Sequence, residues 1–165
     1  MTLAEAAAQA EALAAAGDEQ PLSQLRAQWD DELEAAARST DFRERVDAFR
    51  AIAQFRFRTK TELLQRGLDD DSPAVRGTAI VSLERLSRDH PGLVNDFRSR
   101  LHRLVAGDPV DAVRRLAVVA LRNGSRRPDT VQLLTSIAQS DEESQELRDA
   151  AAKVAQELKQ KRVTR

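Results

Sequence analysis

Apolar residues recur along most of the chain at spacings of three and four, the pattern of amphipathic helices. Leu3 to Ala16 is an Ala-rich helical stretch that stops at Gly17. Pro21 to Arg38 is a second, with Leu22, Leu25, Trp29, Leu33 and Ala36 at helical spacing. From residue 43 onward the pattern repeats. Arg45, Arg76, Arg114 and Arg148 are 31, 38 and 34 residues apart, and each opens a similar run. Three residues on stands an alanine every time (Ala48, Ala79, Ala117, Ala151). Seven on stand Ile52, Leu83, Leu121 and Ala155; ten on stand Phe55, Leu86, Gly124 and Leu158. These offsets share one helical face, and the small residue lets a neighbouring helix come close.

Shorter amphipathic runs lie between these helices. Thr59-Lys60-Thr61-Glu62 has the capping-box pattern ahead of Leu63, Leu64 and Leu68. Pro91 and Pro128 each open a further helical run, at the position where proline costs no donor. Ser72-Pro73 and Asp108-Pro109 read as an N-cap followed by that proline, and Gly107 and Gly124 as helix ends. Each unit is therefore helix, turn, helix. Trp29 reads as a packing anchor, the Ala-rich first helix as loosely held, and the tail from Lys159 as frayed.

The units built on Asp71, Pro73, Val75, Arg76, Ala79 and Leu83, and on Asp108, Val113, Arg114, Ala117 and Leu121, resemble the HEAT-repeat family of α-solenoids. The resemblance covers about residues 41–160. It implies an all-α fold, an α–α superhelix of about four helical hairpins. Residues 1–38 would be an N-terminal helical cap, 39–160 the repeats and 161–165 a frayed tail, in one structural domain. It also implies that Asp71, Arg76, Asp108 and Arg114 hydrogen-bond between neighbouring units, and that the second helix of each hairpin lines a concave side.

Composition removes most chemistry. The 165 residues include no cysteine and no tyrosine, one tryptophan and two histidines. Disulfides, thiol nucleophiles and multi-histidine metal sites are excluded. No phosphate-binding glycine loop or nucleophile elbow occurs. His90 and His102 read as isolated surface histidines, and Asp69-Asp70-Asp71 as a polar turn rather than a cation site. No catalytic, cofactor or metal residue is expected. No apolar run is long enough to span a membrane. The start of the chain lacks the pattern of a secretory signal, so a soluble, cytoplasmic protein is expected.

Charge is segregated. Residues 1–42 carry two basic against nine acidic residues, whereas residues 43–127 carry eighteen against eleven. On a helical wheel, the face opposite the core collects Val46, Arg50 and Phe57, then Val81, Glu84 and Arg88, then Arg115, Val119, Arg122 and Arg126, with Arg85 at its edge. An apolar strip with a basic rim suits an acidic or amphipathic segment of another protein. The candidate partner-binding residues are therefore Arg50, Val81, Arg85, Arg88, Arg115, Val119, Arg122 and Arg126. Three functions follow from the resemblance. The first is a non-catalytic adaptor. The second is nucleic-acid binding through the basic middle, as in HEAT-like alkylpurine DNA glycosylases, although stacking aromatics are scarce. The third and weakest is a bilin-lyase-like enzyme component, which the lack of Cys and Tyr disfavours.

Overall fold

The structure is a computed structural model that describes residues 1–162. Among the described residues it contains nine helices and no strand: α1 (Leu3–Ala16), α2 (Glu19–Ala37), α3 (Phe42–Gln54), α4 (Thr61–Leu68), α5 (Pro73–Ser87), α6 (Gly92–Gly107), α7 (Asp111–Leu121), α8 (Pro128–Ala138) and α9 (Gln145–Gln160). The packing divides into two compact units, Met1–Ser82 and Leu83–Arg165, with the division inside α5.

In the first unit, α1 packs on α2 and α3, and α2 packs on α3. A reciprocal capping box starts α1: the Glu5 amide donates to the Thr2 hydroxyl at 3.2 Å, and the Thr2 amide to the Glu5 carboxylate at 2.7 Å. Gly17, at φ 77°, ends it in the left-handed conformation that glycine adopts without strain. The thin apolar face does not leave α1 detached. Leu3, Ala6, Ala7 and Ala10 are buried, because alanine lets three helices approach closely.

Helix α3 ends at Gln54, earlier than the apolar pattern suggests, and Arg56 adopts a left-handed φ of 54°. This reversal turns Phe57 inward, 8% exposed, with its ring centroid 5.5 Å from that of Phe55. Phe57 is therefore core and not part of an outer face. Arg26 of α2 closes the end of α3, donating from Nε to the Phe55 carbonyl at 2.7 Å. Lys60 lies over the Phe57 ring at 5.3 Å and pairs with Asp30 and Glu34 of α2. With Lys60 held there, it occupies the N-cap position of α4, and no side chain caps that helix. The capping box expected at Thr59–Glu62 does not form.

The alanine of the repeat has a visible purpose in this unit. A methyl added at Gly67 of α4 would meet the Ala79 methyl at 2.7 Å and the Phe49 ring at 2.6 Å. Ala79 and Gly67 together bring α4 and α5 into contact. The Ser82 hydroxyl donates to the Phe49 carbonyl, tying α5 to α3.

In the second unit α6 packs on α7, and α8 and α7 both pack on α9. Ala117 and Ala151 are fully buried. Two boundaries differ from expectation. Asp108-Pro109 precedes α7 instead of capping it: the Asp108 carboxylate accepts the Val110 amide at 2.9 Å, and the helix begins at Asp111. Gly124 is no helix terminator, since α7 stops at Leu121. A methyl there would meet Val94 of α6 at 2.8 Å, so glycine is needed for closeness rather than for turning. Beside it, Arg98 donates to the Thr130 hydroxyl at 2.6 Å and to the Ser125 carbonyl at 3.2 Å, knitting α6 to the start of α8. The tail is anchored further than expected. Helix α9 runs to Gln160, and the Lys161 ammonium donates to the carbonyls of Arg122 and Gly124. Residues 163–165 lie outside the described residues.

Two glycine substitutions should move stability in opposite directions. Gly67→Ala gains helix propensity but overpacks against Phe49 and Ala79, and should cost about 1–3 kcal/mol. Gly92→Ala meets nothing within 4 Å and should stabilise by up to about 1 kcal/mol. Urea unfolding followed by circular dichroism would measure both. Equal effects of the two changes would show that α4 does not sit as tightly as described.

Candidate protein-interaction face

Two of the arginines that open repeats, Arg45 and Arg114, work in two directions. Arg45 reaches back to the Ser39 carbonyl at 2.9 Å. It also reaches forward to Asp70, donating from Nε and Nη2 to the two carboxylate oxygens at 2.9 and 3.0 Å. Arg114 likewise donates from Nε to the Val105 carbonyl at 2.8 Å and grips the Glu143 carboxylate at 2.6 and 2.8 Å. Such bidentate pairs are the strongest form of the contact. Burial raises the Asp70 carboxyl, but the Arg45 hydrogen bonds and the Ser72 amide outweigh it and hold it below its ordinary range. The Arg114 guanidinium holds Glu143 below its ordinary range too.

The four residues expected to link repeats are placed as follows. Arg76 donates to the carbonyls of Asp70 and Asp71 at 3.0 and 3.2 Å. Asp71 is 94% exposed at its side chain and takes one Arg45 nitrogen at 3.1 Å, so Asp70 beside it is the half-buried anchor. Asp108 holds the Val110 amide, and Arg114 joins α6 to the turn before α9. Asp70 and Glu143 were the acids missed. They precede the next repeat arginine by six and five residues, a spacing visible in the chain.

Of the candidate face, the first unit carries Arg50 and Val81. Both are exposed; Arg50 makes a loose pair with Asp47 at 3.5 Å, and Val81 is 41% exposed. The second unit carries the rest. Its organising residue is Glu84, whose side chain is 8% exposed. Arg88 donates to its two oxygens at 3.1 and 2.9 Å, and Arg122 and Asn123 each reach Oε1 at 3.1 Å. Asn123 also donates to the Glu84 carbonyl and the Ser87 hydroxyl. Burial raises the Glu84 carboxyl, yet these donors hold it below its ordinary range. Arg88 and Arg122 are thus partly neutralised from within, which the wheel could not reveal. Arg115 lies 3.6 Å from Asp111, with its side chain 43% exposed. Val119 and Arg85 are half-buried.

Arg126 leaves the face altogether. The wheel placed it by extending α7 through residue 126, but α7 ends at Leu121. Arg126 instead donates to the Lys159 carbonyl at 2.9 Å, closing the end of α9. His102 also departs from expectation. It is half-buried, its Nε2 lies 2.9 Å from the Thr130 hydroxyl, and burial holds its pKa below the ordinary value. Among the described residues no group of three metal-ligating side chains occurs, and no helix is long and apolar enough to cross a membrane.

Two pH effects follow. In the fold Glu84 stays ionised below its ordinary value of 4.5, so its contribution is complete above that pH and is lost as pH falls below it. Glu84→Gln should cost about 1–3 kcal/mol at neutral pH, because Arg88 and Arg122 lose their counter-ion, and should flatten the acid limb below pH 4.5. His102 is held neutral below its ordinary value of 6.5, so stability again falls as pH drops through that region. His102→Gln should remove the loss just below pH 6.5 and leave the limb below 4.5 unchanged. Thermal unfolding across pH reads both, and identical profiles for all three proteins would contradict the assigned environments.

Compared with known families, residues 31–122 match the family of HEAT repeats, which is more than half of the chain. No curated protein and no solved structure matches the chain. HEAT repeats generally serve as protein-interaction scaffolds. The repeated arginine and alanine, the helical hairpins and this match agree, and the chain belongs to the HEAT-repeat family.

Proposed function

We propose that this protein is a non-catalytic adaptor whose second unit presents Arg85, Arg88, Arg115, Val119 and Arg122 to an acidic, amphipathic segment of a partner protein. The observation that carries the reading is the setting of Val119. This half-exposed apolar residue lies on α7 four residues after Arg115 and three before Arg122, with both arginine side chains 43% and 37% exposed. Residues three and four apart on a helix are neighbours, so an apolar contact and two cationic ones are offered together. Arg115 is less compensated than Arg88 and Arg122, which Glu84 already engages. Arg50 and Val81 offer the same pairing of residue types on the first unit. In this reading residues 1–38, which form α1 and α2, are the end cap and the repeats begin with α3. An adaptor of this kind, free of cysteine, suits a cytoplasmic setting.

The test is a fluorescence titration of the whole chain with an acidic amphipathic peptide of alternating Glu/Leu helical design, and in parallel with duplex DNA. Arg115→Glu with Val119→Ser should weaken peptide binding by about tenfold or more without changing helicity. Arg122→Glu is unsuitable, since it would place a second carboxylate against buried Glu84. Binding of DNA with steep salt dependence and no response to Val119→Ser would instead establish a phosphate-binding surface.

A further inference from the structure

A second surface, of opposite charge, lies on the first unit. An open groove of about 690 Å³ runs where the start of α1, the end of α2 and the start of α3 meet. Its floor is Leu3, Ala4, Ala35 and Ala36. Its rim carries three carboxylates, Glu32, Glu44 and Asp47, and no cation. Asp47 has one weak neighbour, Arg50 at 3.5 Å. Glu32 and Glu44 are exposed and have no ion-pair partner among the described residues. The helix ends do not cancel this charge. The N-termini of α1 and α3 each bring about half a positive charge, and the last turn of α2 about half a negative one. That last turn contains no basic residue, so the three full carboxylates dominate. The whole unit leans the same way, with fifteen acidic against ten basic residues in 1–82.

The floor narrows the choice of occupant. Three of its four residues are alanines, so no long side chain keeps a visitor's backbone away. Helices pack at about 8–10 Å when the contact residues are small. We infer that this groove is a docking site for a cationic amphipathic helix of a partner protein, with apolar residues on the alanine floor and Lys or Arg side chains on Glu32, Glu44 and Asp47. It is independent of the arginine face of the second unit, which takes the opposite charge.

The probe is a synthetic Lys/Leu amphipathic helical peptide of about fifteen residues, long enough to form a helix on contact. A Lys/Ser peptide of equal charge and a Glu/Leu peptide serve as comparators. Titrations of the full chain by fluorescence anisotropy should rank Lys/Leu at least about tenfold above both. Backbone amide shifts should change first at Ala4, Ala35, Ala36 and Glu44. Glu32→Lys with Glu44→Lys should abolish the preference, and Ala35→Arg, at an exposed helical position, should do so by filling the floor. Glu142→Lys, an exposed acid of the second unit, should have no effect. Circular dichroism confirms that each variant is folded, and the Ala35 variant keeps the test decisive if the double variant is not. Equal binding of the Lys/Ser peptide would reduce the effect to general attraction and overturn the inference. So would shifts confined to residues outside the groove. Neither result would touch the arginine-face reading, whose test uses the Glu/Leu peptide and variants of α7.

Discussion

The structure depends on a guanidinium that satisfies two separated demands at once. A helix leaves its last carbonyls without partners, and a turn between helices gathers acids that need a counter-charge. Arg114 and Arg45, at the starts of α7 and α3, serve both. Arg114 takes the Val105 carbonyl near the end of α6 and the Glu143 carboxylate before α9. Arg45 does the equivalent with Ser39 and Asp70. Arg148 turns to the Ala138 carbonyl at the end of α8, at 3.4 Å, and lies 3.7 Å from Asp141. Lysine could not replace Arg114 or Arg45, since only a planar fork of donors reaches a carbonyl and both oxygens of a carboxylate together.

This device sets what the hydrophobic face must look like. If the arginine fixes where its helix begins, the residue one turn later must let the neighbouring helix pass closely. Ala48, Ala79, Ala117 and Ala151 are all fully buried for that reason. The close approach is sharpest where Ala79 meets Gly67. Gly124 extends the same logic against Val94 of α6. Small residues therefore mark contact points, and large ones such as Phe49, Phe55 and Phe97 fill the spaces between them.

The period, the repeat arginine and its alanine were legible because they recur along the chain at fixed offsets. What failed shares one physical cause. Phe57 and Arg126 were assigned to an outer face by continuing a helix past its true end, and no periodic pattern reports where a helix stops. The ends of α3 and α7 are set by tertiary contacts instead: Arg26 on the Phe55 carbonyl, and Asn123 on Glu84. The Asp108-Pro109 cap failed similarly, since the Asp108 carboxylate closes a turn onto Val110 before the helix begins. Glu84 was legible as a position but not as a centre, because the adjacent Arg122 and Asn123, nearly forty residues on, join Arg88 on it only after folding.

Charge segregation takes on a different meaning once pairing is visible. A count of basic residues in the middle of the chain overstates what a partner would meet, because Arg45, Arg88, Arg114 and Arg122 have internal acids. Paired charges still shape the surface, but their free energy of interaction is already partly satisfied, and a partner must compete for it. The two proposals rest on the residues with least internal compensation: in the second unit Arg115, whose Asp111 neighbour is loose and exposed, and in the first Glu32 and Glu44 beside bare alanine. The repeat specifies the buried arginine and alanine and leaves the outward positions free to differ, so one chain built from a single repeated contact can carry outward charges of opposite sign on its two units.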